Sequence, residues 1–126
     1  MKRYLPKQKL DMEAVEYLQT CNFADIRQDV PALLEWLQDL NWMVGDGIGD
    51  YLRPHVNEIK EDILPILLSD DDQWKYGIVI CLLYTTTVKL DEAYLPVLQR
   101  MAADPVGEEK DWELDEWAEK ILRKQV

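Results

Sequence analysis

Three tetrapeptides, Val30-Pro31-Ala32-Leu33, Leu64-Pro65-Ile66-Leu67 and Leu95-Pro96-Val97-Leu98, repeat the pattern apolar-Pro-apolar-Leu, their prolines 34 and 31 residues apart. Self-similarity at such a period marks a stack of supersecondary units, none of which can bury its apolar face alone. A tryptophan follows each tetrapeptide, at Trp42, Trp74 and Trp112. Aligned on these tryptophans, Ile48, Ile80 and Ala118 correspond, as do Tyr51-Leu52, Leu83-Tyr84 and Ile121-Leu122. Asp39, Asp70 to Asp72 and Asp104 stand between the two halves of each unit, where a carboxylate caps a helix or turns the chain.

Within the units the apolar spacing is helical. Ile26, Val30, Leu33, Leu34 and Leu37 in the first unit, and Leu114, Trp117, Ala118, Ile121 and Leu122 in the last, recur at three- and four-residue steps. Gly77 to Val88, with Ile78, Val79, Ile80 and three threonines, favours a buried strand by propensity, but the repeat predicts a helix there. A helix apolar on all sides suits the middle of a layered array. For the last helix, Glu108 and Glu109 are expected near its start and Arg123 and Lys124 at its end, as the macrodipole favours. The prolines fall inside helical patterns, where each costs about 3 kcal/mol unless its helix begins close by. The expected fold is all-α: one domain over residues 1–126, about three helical pairs, and a short basic N-terminal arm over about 1–10.

The opening Tyr4-Leu5-Pro6-Lys7 with Asp11, the stretch Leu34-Glu35-Trp36-Leu37-Gln38-Asp39-Leu40-Asn41-Trp42, and Ser69-Asp70-Asp71-Asp72-Gln73-Trp74-Lys75-Tyr76 together resemble a family of short bacterial HEAT-like repeat proteins of unknown function. The resemblance spans nearly the whole chain. It implies a HEAT-like α-α superhelix and carries no catalytic residues, since that family has no established activity. Gly45-Asp46-Gly47-Ile48-Gly49 departs from it and predicts an irregular second helix in the first unit.

Charge narrows the function. With 25 Asp and Glu against 14 Lys and Arg, a net charge of -11 opposes binding to nucleic acid or anionic membrane. The 48% apolar content and five tryptophans point to a folded globule rather than a solvating acidic tail. The longest nearly apolar run, Tyr76 to Tyr84, is far below the roughly 20 residues of a spanning helix. The N-terminus has no apolar signal core, so a cytoplasmic protein is expected. Cys21 and Cys81 read as buried reduced thiols, with a bridge between them left open.

The candidate chemistries are weak. The Gly45-x-Gly47-x-Gly49 run has Asp50 where a dinucleotide fingerprint needs its last glycine, and no strand precedes it. Close packing, a fraying helix or close approach of a partner are the competing readings. Asp70 to Asp72 fail the calcium-loop template, because Lys75 occupies the glycine position. His55 is the sole histidine and Ser69 the sole serine, and with two distant cysteines they supply neither a supported nucleophile nor four zinc ligands. No enzyme activity, metal or cofactor is expected.

What is left is a surface. The tryptophans are either core or interface anchors; Trp36 and Trp117 fit the core stripes, whereas Trp42, Trp74 and Trp112 mark the entrance of each second helix. Between Asp104 and Lys120 eight acids face two bases, either a solvated face or a docking surface. The leading expectation is a non-catalytic protein-binding module, monomeric or weakly dimeric, that meets a basic protein partner. Its expected groove of second helices carries Trp42, Asp46, Asp50, Trp74, Lys75, Trp112, Glu113 and Glu116. One alternative is an immunity-like inhibitor covering the basic site of a toxin or nuclease. Another is a small-ligand binder or enzyme using the Gly45–Gly49 segment and His55.

Overall fold

The computed structural model describes residues 2–125, and every regular element among them is helical. Helix α1 (Met12–Leu18) starts where Asp11 accepts the Ala14 N–H, and it turns Ala14, Val15 and Leu18 inward. Three helical pairs follow. In the first, α2 (Phe23–Ile26) and α3 (Val30–Leu34) are joined by the 3-10 turn Arg27–Asp29 and answered by α4 (Met43–Leu52). The second pairs α5 (Lys60–Leu67) with α6 (Asp72–Ile78), which runs on as a π-helical stretch, Val79–Tyr84. The third pairs α7 (Leu95–Ala103) with α8 (Leu114–Lys124).

The prolines divide. Pro31 and Pro96 stand in the first turns of α3 and α7, each behind a 3-10 turn, so their missing N–H groups cost little. Pro65 sits inside α5 and orphans the Glu61 carbonyl, at an exposed position where water can replace the bond. Asp71 caps α6 by accepting the Trp74 N–H at 3.1 Å, the capping role read for the aspartate run.

The second helices lie side by side, with α6 and its π stretch between α4 and α8. Gly45 to Gly49 form a regular stretch of α4, correcting the expected irregularity, because their missing side chains are matched by neighbours. A Cβ on Gly47 would stand 2.1 Å from the Val15 Cγ1 of α1, and one on Gly77 1.9 Å from the Leu37 carbonyl oxygen. Glycine is therefore required at Gly77, where the neighbour is backbone, while a side chain at Gly47 would force Val15 to shift.

Ion pairs recur between segments 27, 35 and 31 residues apart: Lys2 to Asp29 at 2.6 Å, Arg27 to Asp62 at 2.7 Å, and Lys60 to Asp91 at 2.8 Å. They follow a basic-x-Asp motif, Arg27-Gln28-Asp29, Lys60-Glu61-Asp62 and Lys89-Leu90-Asp91, whose aspartate takes the cation of the preceding unit. Hydrogen bonds from Lys2 and Tyr4 hold the Asp29 carboxyl below its ordinary range, and Lys60 does the same for Asp91. Partly exposed pairs of this kind add little stability each and serve better to fix register. The core runs through all three pairs, with Leu18, Leu33, Leu37, Ile48, Leu52, Ile63, Leu67, Leu82, Leu98 and Ile121 removed from solvent.

Candidate functional site

Among the expected site residues, Asp46 and Asp50 lie one turn apart on the exposed face of α4, whose opposite face carries the buried Gly45, Ile48 and Gly49. Asp50 pairs with Arg53 at 2.7 Å. The charges of α4 reach Cys81 on the central helix: burial and then the charge of Asp46 push its thiol up to about 11, with Arg53 opposing and Asp50 adding a smaller contribution. Cys81 is a buried free thiol, and that shift makes it a poor nucleophile.

Along the central helix Tyr76, Ile80 and Tyr84 form a half-buried stripe. Tyr76 meets Trp112 at 5.3 Å between ring centroids, and Tyr84 meets Trp117 edge-on at 4.8 Å. Lys120 lies over the Trp117 ring at 4.4 Å, and Lys124 over Tyr84 at 4.8 Å. Glu113 and Glu116 flank this aromatic strip, exposed at the start of α8. Glu113 is the only non-glycine residue with positive φ among those described (59°), a left-handed conformation that ends the preceding loop and aims α8.

Lys75 is corrected. Expected in the groove, it is 1% exposed, its Nζ 2.8 Å from Glu109 and 2.7 Å from Asp72. Glu109, expected near the start of a solvated helix, is fully buried and lies before α8, which begins only at Leu114. It receives both Arg100 guanidinium nitrogens, at 2.5 and 2.8 Å, and the Val106 N–H. Burial alone would raise its carboxyl; the hydrogen bonds from Arg100, Lys75 and Val106 override that and hold it near 2. Asp72 contributes charge through Oδ1, in ion contact with Lys75 but outside hydrogen-bond alignment, while its Oδ2 accepts the Glu108 N–H at 2.9 Å. This network ties the second pair to the third.

The three entrance tryptophans do not form one row. Trp74 donates its indole N–H to the Leu34 carbonyl at 2.9 Å and bridges two units. Trp112 joins the aromatic strip. Trp42 packs against Trp36 at 5.5 Å and lines a separate cleft of about 400 Å³ with Leu5, Pro6, Ala32, Glu35 and Gln38. Trp36 and Trp117, expected in the core, are half-buried, each packing one side on the core and leaving the other accessible.

The glycine segment and His55 do not make a pocket together. Gly45, Gly47 and Gly49 face Trp36, Val15 and Cys81, whereas His55 stacks on Phe23 at 4.0 Å and meets Glu58 through Nδ1 at 3.0 Å. Among the described residues no cluster of three or more His, Cys, Asp or Glu is placed to hold a metal ion, and no helix is long and apolar enough to cross a membrane.

Fold and surface together define an all-helical domain that displays carboxylates beside half-buried aromatics. The chain belongs to the family described as a domain of unknown function, DUF5071, whose model matches residues 4–122. No curated protein matches the chain.

Proposed function

We propose that this domain is a non-catalytic protein-binding module, a HEAT-like array whose second-helix face meets a basic partner in the cytoplasm. The observation that carries the reading is the aromatic strip of Tyr76, Trp112, Tyr84 and Trp117 beside exposed Glu113 and Glu116, with exposed Asp46 and Asp50 on the adjacent second helix α4. Half-buried aromatics supply contact area at little entropic cost, and Asp46, Glu113 and Glu116, which have no ion pair among the described residues, steer a cationic surface toward the domain. The repeating Pro, Trp and basic-x-Asp registers support the HEAT-like description, and two free thiols suit a reducing compartment. The outer face of α8, with Glu116, Glu119, Lys120 and Arg123, is a polar end to the stack and favours a monomer.

The test is capture from cell lysate at low salt on the immobilised domain, with a salt step for elution and a Glu113→Lys/Glu116→Lys domain as control. A stoichiometric basic protein released by salt from the wild type and absent from the control supports the assignment. Equal recovery on both removes these residues from the site.

A further inference from the structure

The cleft lined by Trp36 and Trp42 lies away from the aromatic strip of α6 and α8, and its composition is specific. Its two indoles stand at 68° to one another, so they form two walls of a corner rather than a stack. Glu35, exposed at its rim, has no ion-pair partner among the described residues. At about 400 Å³ the cleft falls within the roughly 300–1,000 Å³ of small-ligand sites. A second cleft of about 220 Å³ shares Trp42 and Gln38 with it and adds Asp39, Asp71 and Gln73. Together they make one trough with three carboxylates, two indoles and two side-chain amides, and neither part is lined by lysine or arginine.

That combination selects a cation. The face of an indole attracts an ammonium or guanidinium group by its quadrupole, and a carboxylate at the rim adds charge complementarity. The chain uses the same attraction internally, with Arg3 over Tyr17, Lys120 over Trp117 and Lys124 over Tyr84. At Trp36 and Trp42 the rings are present and no cation among the described residues covers them. The trough also continues past Trp42 to a second acidic lobe, and its amides and indole N–H groups can bond peptide carbonyls and N–H groups.

We propose that this trough binds an extended basic segment of a partner protein, with one Arg or Lys side chain in the corner of Trp36 and Trp42 against Glu35 and a neighbouring one against Asp39 and Asp71. The proposal rests on the protein-binding reading and assigns it a second contact on another face. Glu35 can be substituted without breaking a bond of the fold, because its side chain makes no hydrogen bond or ion pair among the described residues.

The experiment is titration of the isotope-labelled domain with nona-arginine, following backbone and indole N–H resonances by NMR. Shifts at Trp36, Trp42, Gln38 and Gln73 are expected, with affinity reduced roughly fivefold or more in Glu35→Gln and in Trp42→Leu. Unchanged affinity in Glu35→Gln, whose fold is not at risk, would overturn the proposal. Shifts confined to Asp46, Glu113 and Glu116 would also overturn it while leaving the second-helix face as the docking surface. No shift anywhere would count against both. Tetramethylammonium reproducing the Trp36 and Trp42 shifts at similar affinity would replace the peptide by a free organic cation and overturn the partner assignment.

Discussion

Glu109 and Glu113 are four residues apart in the same acidic run, yet one is fully buried and the other exposed. Glu109 satisfies two cations and a backbone N–H between two helical pairs. Glu113 holds a left-handed turn and presents its carboxylate to solvent. The contrast teaches that local acidity in this chain measures two separate quantities: charge that holds units together, and charge left over for a partner. Counting acids cannot separate them, because what decides is whether a cation from another unit comes within reach. Lys75, in the preceding pair, is that cation for Glu109. Among the described residues Glu113 has no such ion pair.

The largest effect should come from breaking the buried side of this comparison. Lys75→Met leaves Glu109 and Asp72 short of a buried cation, and a loss of about 3 kcal/mol is expected in urea unfolding. Acid should sharpen the same point. Glu109 is held near 2 in the fold against an ordinary 4.5, so its contribution is complete above about 4.5 and disappears as the pH falls through the folded value. A loss on the order of 3 kcal/mol between pH 5 and pH 2 should be visible as a falling melting temperature, and Glu109→Gln should flatten that part of the profile. Next in size is Gly77→Ala, which drives a methyl group into the Leu37 carbonyl and should cost about 1–3 kcal/mol by the same unfolding measurement. The smallest change in stability belongs to the exposed side: Glu113→Lys/Glu116→Lys should stay within about 0.5 kcal/mol of wild type. Its association with a basic partner should nevertheless slow, and the rate should depend less steeply on ionic strength.

The all-helical class was legible in the apolar spacing, and a helix was rightly expected over the π stretch where Ile78, Val79 and Ile80 favour a strand by propensity. Tertiary context outweighed propensity because that helix is covered on both sides, by α4 and α8. The start of α8 was not legible. Glu108 and Glu109 look like first-turn acids, and only the approach of Arg100 and Lys75 holds Glu109 in a loop instead.

For the candidate residues, exposure was legible in part. Asp46, Asp50, Glu113 and Glu116 are exposed, and Trp112 packs against Tyr76. Lys75 was misplaced since a lysine within an acidic, aromatic stretch reads as solvated until its partners 3 and 34 residues away are known. The basic-x-Asp ladder was visible in the residues all along. Its signal is a charge pattern that repeats with the prolines, whereas apolar periodicity alone conceals it.

The most direct measurement makes one isosteric change at two places: urea midpoints of Glu109→Gln and Glu113→Gln, determined side by side at neutral pH. The account predicts a clearly lowered midpoint for Glu109→Gln, which leaves Lys75 and Arg100 facing a neutral amide, and an unchanged one for Glu113→Gln. Equal midpoints, or a larger loss at Glu113, would contradict the division of the acidic run into buried and presented charge.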